Sequence, residues 1–570
     1  MLSIACTFFI NEPDPETRAV DIKPDVTSSD LWNSVYTFTL QAPSRKIETV
    51  RMSMFIESEK AFYLSSRRTV TELKTSACPT VPAGRFMAVE TRNGVFRLDF
   101  PWILSYQVSR KAGGIEINTV LRDKNRCGIS KWGSNKIIDG PQTYSLNVYC
   151  AKMDAVEDCL WLEPYPGGAQ AALCLTDHAD FDSIEKVRLL SDLYVKNDFR
   201  FTKSVFPKSD ATPTKHEPAM DIIEYRKSIE KLYDAGCGIA YHGFGPRIKA
   251  PPPAECRNRL SLMREFNVAT WIDHGDGNYL FSRQNVLEDG TILTDILGQY
   301  GVKNYWSFFD IWNNPFVKLS SWSLRTTADI LHDLYVGMSS LKKLNIIRCA
   351  YLMDHAIKNI IGSYEFLELK QKPFRMNNWA KAYMTKTLLS VLRKGPFAIY
   401  GHDGTVFTCT SDSLWIFDTV LCNHLGIQLK PTLIDSLIED SGLLLAHCYF
   451  GAQNRHIFDN CFEGQGPDLS ISSAFVENIE YIAERQKAGD LITLSFAQLR
   501  ASLETFSHSF ISRNDYGWQV DVKGGSPLVM GGSRQAVMKL ECAGAKKWYR
   551  GDIGFIMLPQ GSNLIKNAIR

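Results

Sequence analysis

Five of the 11 histidines in this 570-residue sequence stand one or two residues beyond the end of a short apolar run. They are His178, His242, His274, His402 and His447. Acidic residues accompany them, namely Asp177, Asp180, Asp273, Asp276 and Asp403. Neutral imidazoles with one or two carboxylates suit Zn²⁺ or a similar divalent ion that keeps one coordination position open. These residues therefore predict a metal site or an acid–base site, provided that the ends of the apolar runs meet in the fold.

A single histidine after a strand is more often a loop or core residue than a ligand, so the prediction depends on the five occurring together. The other six histidines lie in helical-looking or polar stretches, and we expect structural or surface roles for them. They are His216, His332, His355, His424, His456 and His508.

The elements that must position these residues repeat along the middle of the chain. Short apolar runs, typical of buried strands, alternate with longer stretches that have helical spacing, such as Ile184, Val187 and Leu190. The runs are residues 171–175, 201–206, 238–241, 269–272, 305–309, 397–400 and 442–446. This pattern predicts an α/β fold, and the number of units favours a (β/α) barrel, distorted and seven- or eight-stranded. In such a barrel the residues just past the strands converge on one face.

Two segments with a period of two flank this central region. In residues 31–150, apolar residues such as Tyr36 and Phe38 alternate with polar ones, which predicts an N-terminal antiparallel domain resembling a β-sandwich. Leu540 and Cys542 alternate in the same way near the C-terminal end, where glycine pairs mark turns and predict a small β domain. The predicted domains are residues 1–160, 161–510 and 511–570.

Residues 171–499 resemble the polysaccharide deacetylases of the NodB-homology class, the family 4 carbohydrate esterases. The first strand of that family ends in Thr-Phe-Asp-Asp, whose first Asp is the catalytic base and whose second Asp binds the metal. Leu175-Thr-Asp-His-Ala-Asp180 stands in that place here. The resemblance implies that Asp177 is the base and that Asp180 or His178 is a metal ligand.

Two later motifs of the family are matched to different extents. The metal-binding His-x-x-x-His motif is matched only by His242, because Pro246 replaces its second histidine. Either His274, after the next strand, supplies the missing ligand or the metal is lost. The late Leu-x-His motif, whose histidine is the general acid, is matched by Leu443-Leu-Leu-Ala-His447. His402 follows a comparable run, so the choice between His402 and His447 as the acid stays open.

The resemblance implies a metal-dependent hydrolase that removes an acyl group, such as N-acetyl, from an amino sugar of a bacterial surface polysaccharide or its precursor. The expected cofactor is a divalent metal, Zn²⁺ first. Aromatic faces suit sugar rings, and polar side chains at the same strand ends suit their hydroxyls. The residues expected to bind the carbohydrate substrate are Arg247, Trp271, Trp306, His402 and Asp403.

Two other functions stay open at this point. The departures from the family at His178 and Pro246 allow a metallohydrolase that cleaves a non-sugar amide or an ester. The two flanking β domains also allow a barrel that has lost catalysis and binds glycans.

Composition excludes several classes of protein. The net charge is +2 with both signs interspersed, which argues against a nucleic-acid partner. No apolar run approaches the roughly 18 residues of a membrane span, and residues 1–10 make a poor signal peptide, so we expect a cytoplasmic protein. The 14 cysteines contain no Cys-x-x-Cys pair, which argues against a zinc ribbon or a disulfide framework. Whether the chain forms a homo-oligomer stays open.

Overall fold

The computed structural model describes part of the chain, and the statements below concern that part alone. The described residues are 2–11, 17–28, 32–42, 49–64, 68–73, 87–99, 107–123, 142–209, 218–246, 252–272, 290–291, 293–312, 407–411, 414–422, 425–439, 441–453 and 461–567. Within these ranges, no helix is both long and apolar enough to cross a membrane.

The first 12 strands form two antiparallel sheets. The strands are β1 Ile4–Asn11, β2 Thr17–Ile22, β3 Asp25–Ser28, β4 Asn33–Ala42, β5 Thr49–Glu57, β6 Lys60–Leu64, β7 Val70–Glu72, β8 Met87–Thr91, β9 Gly94–Asp99, β10 Gln107–Lys111, β11 Gly114–Asp123 and β12 Gln142–Met153. One sheet has the order β10-β11-β5-β1-β2 and the other β3-β4-β12-β9-β8-β6-β7. Phe8 and Met54 from the first sheet share one buried core with Phe38 and Leu98 from the second. The predicted antiparallel β region is confirmed, and it starts earlier than the alternation indicated, because β1 pairs with both β2 and β5.

Strands β13 to β24 and helices α1 to α8 follow along the chain. The strands are β13 Leu160–Glu163, β14 Ala171–Asp177, β15 Thr202–Val205, β16 Gly238–His242, β17 Thr270–Ile272, β18 Asn304–Trp312, β19 Phe407–Ser411, β20 Leu414–Cys422, β21 Leu443–Cys448, β22 Phe462–Glu463, β23 Ser470–Ile471 and β24 Leu491–Thr493. The helices are α1 Ile184–Lys196, α2 Ile223–Asp234, α3 Pro253–Ser261, α4 Leu293–Gln299, α5 Leu425–Gln428, α6 Pro431–Glu439, α7 Ser473–Ala488 and α8 Phe496–His508.

Most of these strands form one parallel sheet with the order β15-β16-β17-β18-β20-β21-β14-β24, and β19 pairs antiparallel with β20. β14 also pairs with β15, through Thr176↔Thr202 and Asp177↔Lys203. The sheet therefore curls until β14 lies beside both β15 and β21. The parallel α/β region is confirmed. The described residues do not show a regular (β/α) barrel, since β19 is antiparallel and β24 pairs with part of β14, and the predicted strand at 397–400 lies outside them. β20 was not among the predicted strands.

The two faces of β14 bury their side chains in different places. Leu173 and Leu175 pack with residues of α1 and α2 in one core cluster. Cys174 points the other way and belongs to a second cluster, with Trp306 and Leu445, in the space that the curled sheet encloses. Side chains alternate between the helix side and this interior along each strand, because successive residues of a strand face opposite ways.

Helix α8 closes the interior at the amino ends of the strands. Ser495 caps the helix, since its hydroxyl accepts from the amide of Gln498 and the Gln498 side chain accepts from the amide of Ser495. Phe496 then enters the interior, where its ring stacks on Phe417 with centroids 3.9 Å apart. Gly238, at the start of β16, leaves the necessary space, because a Cβ there would lie 2.8 Å from the Cβ of Ser495.

The C-terminal region contributes seven strands and a short helix, and together with β13 these strands form two four-stranded sheets. Its elements are β25 Phe510–Asn514, β26 Gly517–Val522, β27 Leu528–Ser533, α9 Arg534–Met538, β28 Leu540–Cys542, β29 Lys546–Arg550, β30 Ile553–Leu558 and β31 Gly561–Asn567. The sheets have the orders β13-β27-β30-β29 and β25-β26-β31-β28. The predicted boundary at residue 161 therefore falls inside β13, a strand that belongs to a C-terminal sheet.

Candidate metal centre

Three polar side chains from two parts of the sheet meet at its carboxyl end. His178 follows β14 directly, Asp180 lies in the single 3-10 turn after it, and His242 ends β16. One ligand atom from each of the three lies within 4.8 Å of the other two, and the Nε2 atom of His242 is 3.0 Å from Oδ2 of Asp180. Gly243 has a positive φ of 64°, which turns the chain sharply after His242. Two imidazoles and a carboxylate at this spacing could hold a divalent metal ion.

His447 brings a third imidazole to the same place. Its side chain lies on the interior face of β21, and its ring stacks on that of His178 with centroids 3.6 Å apart and planes 22° apart. The indole ring of Trp306 meets both rings edge-on, at 4.9 Å from His178 and 5.0 Å from His447. The Trp306 ring is fixed by a 2.8 Å hydrogen bond from its Nε1 to the hydroxyl of Thr419. The ring of Tyr449 also packs against His447, with ring centroids 4.5 Å apart.

The electrostatic surroundings keep His178 neutral. Burial, followed by the neighbouring His447 and His242, holds the pKa of His178 well below its ordinary value. A neutral imidazole keeps one ring nitrogen with a free lone pair. The Nε2 atom of His178 is buried and has no hydrogen-bond partner among the described residues. A buried polar atom of this kind requires an explanation, and a metal ion beside Asp180 and His242 would supply it.

Asp177, the predicted base, lies on the other side of its strand. It continues the face of Leu173 and Leu175, which is the helix side, and its carboxylate is buried. Oδ1 accepts from the amide of Phe450 at 2.7 Å, and Oδ2 accepts from the ammonium of Lys203 at 2.6 Å. Burial raises the pKa of Asp177 to about 6, against the opposing effect of Lys203. This placement does not support the role of base, which stays a prediction.

Three residues beside Asp177 were not identified from the sequence. Lys203 also donates to Asp182 at 3.0 Å, and the hydroxyl of Tyr225 donates to the same carboxylate at 2.7 Å. Burial opposes the charge of Lys203, yet the two carboxylates raise its pKa above the ordinary value. Burial raises the pKa of Asp182, and the bonds from Lys203 and Tyr225 counteract this. The signal in the sequence was Lys203 itself, a charged residue in the middle of the apolar run 201–206.

The other six predicted site residues have three different outcomes. The structure does not support Trp271 as a substrate contact. Its side chain is fully buried on the helix side of β17, against Tyr241 and Phe244, and belongs to the core. Trp306 is buried beside His178 and His447, and its role as a substrate contact stays a prediction. Four predicted residues lie outside the described part of the chain: Arg247, His274, His402 and Asp403.

No family model and no curated protein matches this chain. Among solved structures it is similar to a Glycoside Hydrolase Family 97 enzyme variant from Pseudoalteromonas sp. strain K8, with 8% identity over 54% of this chain and a TM-score of 0.22. The chain covers 61% of that enzyme's length. It is also similar to a Kfla1895 mutant in complex with isomaltose, with 9% identity and a TM-score of 0.28. That alignment covers 98% of this chain and 84% of the other. A third similar structure is a Flavobacterium johnsoniae GH31 dextranase, with 9% identity and a TM-score of 0.23. The alignment covers 97% of this chain and 73% of the dextranase. Likenesses this slight carry no argument about function.

Proposed function

We propose that this chain is a metal-dependent hydrolase that removes an acyl group from an amino sugar. The observation that carries the proposal is the convergence of His178, Asp180 and His242 at the carboxyl end of a parallel sheet. Active sites of parallel β/α folds lie at this end, because the loops that follow the strands meet there.

The three ligand candidates divide the work of holding a cation. His178 and His242 contribute neutral nitrogen donors, and Asp180 contributes the negative charge. Zn²⁺ held by two histidines and one carboxylate would keep a position for substrate, polarise the acyl oxygen and acidify a water molecule. Asp180 is the most exposed of the three, with a side-chain exposure of 20% compared with 1% for His242. Solvent and substrate would therefore approach from the side of Asp180.

His447 is the proposed proton donor. Cleavage of an amide produces an amine that must receive a proton before it leaves, and a positioned histidine commonly delivers it. The His447 ring contacts the ring of His178, so it lies next to the ligand cluster without being one of the three clustered ligand residues. The match of Leu443-Leu-Leu-Ala-His447 to the acid motif of the deacetylases supports the same role.

The substrate class rests on the resemblance to the deacetylases and on the aromatic side chains around the centre. Trp306 and Tyr449 present rings beside His178 and His447. Aromatic rings with polar edges pack well against the C–H faces of sugars. An acylated amino sugar would place its acyl group towards the histidines and its ring against Tyr449, the partly exposed member of this aromatic pair, while the buried Trp306 ring supports the histidines from the interior.

The test compares the wild type with His447→Ala in metal content and in acetate release from N-acetylglucosamine oligomers. We expect about one equivalent of zinc in both proteins and a turnover lower by roughly 10²- to 10⁴-fold in the variant. A wild type that cannot be loaded with any divalent metal would overturn the proposal. Zinc binding without acetate release from any amino sugar would instead favour hydrolysis of a non-sugar amide or an ester.

A further inference from the structure

One ammonium group holds both ends of the segment that carries two of the three ligand candidates. Lys203 Nζ lies 2.6 Å from Oδ2 of Asp177 and 2.8 Å from Oδ2 of Asp182. His178 and Asp180 stand between these two carboxylates in the sequence. The segment between the two carboxylates, residues 177–182, is also held by a turn, in which the backbone amide of Asp182 donates to the carbonyl of Ala179.

We propose that Lys203 is the positioning residue of the metal centre and that Asp177 serves as its anchor rather than as the catalytic base. This inference rests on the proposed function, because it concerns the same metal. Lys203 belongs to β15, between β14 and β16, the two strands from which the ligands come. A fixed Lys203 therefore sets where His178 and Asp180 stand relative to His242.

Further hydrogen bonds hold the two carboxylates that Lys203 joins. The amide of Phe450 occupies the second oxygen of Asp177, and the Tyr225 hydroxyl donates to Asp182. All these groups are buried, so removal of the cation would leave two carboxylates without their shared counter-charge in a site that excludes water. The segment 178–182 would have to move in order to relieve them, and metal ligands depend on such outer partners for their orientation.

A buried ion pair can also serve stability alone, and this chain offers a matched control. Arg68 and Glu163 are 2.8 Å apart, with side-chain exposures of 2% and 3%. Lys203 and Asp177 have the same exposures, 2% and 3%. The Arg68 pair lies where the N-terminal region meets β13, and Arg68 also donates to the carbonyls of Gly168 and Ala169.

The experiment compares Lys203→Met with Arg68→Met in the full chain. Zinc affinity is measured by competition with a chromophoric chelator, and thermal unfolding of the metal-free proteins is measured in parallel. We expect both variants to unfold at lower temperature than the wild type. Only Lys203→Met should also bind zinc more weakly, by roughly 10-fold, the lower end of the loss seen when a direct partner of a ligand is removed, because Lys203 bonds the carboxylates on either side of the ligands and not the ligands themselves. The absorption spectrum of its cobalt-loaded form should change, because that spectrum reports coordination geometry. Wild-type zinc affinity in folded Lys203→Met would overturn the inference.

Two further variants keep the inference testable if Lys203→Met does not fold. Tyr225→Phe removes only the hydroxyl that holds Asp182 and should weaken zinc binding several-fold. Asp177→Asn distinguishes the two possible roles of Asp177. If Asp177 anchors Lys203, the variant should bind zinc more weakly. If Asp177 is the catalytic base, turnover should fall and zinc affinity should stay unchanged. Unchanged zinc affinity in both variants would overturn the inference and leave the proposed hydrolase intact. A wild type without metal would overturn both.

Discussion

The two ends of the parallel sheet differ in how the polar groups buried there are hydrogen-bonded. At the amino end, the hydroxyl of Thr202 accepts from the amide of Phe496, and the amide group of Asn304 bonds both Thr270 and Arg500. At the carboxyl end, three imidazoles crowd together, and Nε2 of His178 has no hydrogen-bond partner within the described residues. The polar groups at the amino end are hydrogen-bonded to one another, whereas at the carboxyl end the Nε2 atom of His178 is left to accept a ligand. Substitutions at the carboxyl end should therefore mainly weaken zinc binding, and substitutions at the amino end should mainly lower the free energy of unfolding.

The largest effect is expected at the carboxyl end, from His242→Ala. This change removes one of three ligand candidates, so zinc binding should fall by more than the roughly 100-fold that loss of an outer partner can cause. The metal-free variant should still fold, although at a lower unfolding temperature than the wild type, because the lost His242 ring is buried. Elemental analysis and chelator competition measure the first effect, and circular dichroism the second. His508→Ala, an exposed histidine at the end of α8, is the control and should keep its zinc. Full zinc occupancy in His242→Ala would contradict the ligand assignment.

A stability loss without metal loss is expected at the amino end, from Phe496→Ala. Phe496 is fully buried against Phe417, and truncation of a buried Phe typically costs about 3–5 kcal/mol of unfolding free energy. Chemical denaturation measures this cost. Zinc affinity per folded molecule should stay within about twofold of the wild type, because Phe496 and the ligands lie at opposite ends of the strands. A large fall in zinc affinity would show that the two ends are coupled.

The smallest effect is expected from Ser495→Ala. The substitution keeps the Cβ that lies against Gly238 and removes only the capping oxygen of α8. Loss of an N-cap costs about 1 kcal/mol in typical cases. Denaturation should show a loss of this size with no change in zinc content or turnover. A loss as large as that of Phe496→Ala would mean that the cap, rather than the ring, holds the helix in place.

The sequence was informative where a local pattern determines position. Apolar runs predicted β14, β15, β16, β17, β18 and β21, and the rule that parallel strands end at one edge correctly brought His178, His242 and His447 together. The alternation Leu173, Leu175, Asp177 also indicates the helix side for Asp177, although the family motif suggested a base there.

Other features depend on partners that are distant in sequence. Lys203 acquires its role only when Asp177 and Asp182, from one segment, and Tyr225, from another, surround it. The position of Lys203 within an apolar run marks it as unusual, but no local pattern indicates which residues surround it. The pairing of β13 with β27 is likewise invisible in either segment alone.

That pairing also constrains the order in which the protein can fold during synthesis. Leu160 lies opposite Gly532, so β13 leaves the ribosome long before its partner exists. At roughly 5–20 residues per second, the delay amounts to tens of seconds. The N-terminal sheets can assemble during that time, since their strands are all made first. β13 is the edge strand of its sheet and, among the described strands, pairs only with β27, so it keeps unpaired backbone groups in the nascent chain until residues 528–533 appear, and an unpaired strand of this kind is open to wrong pairing.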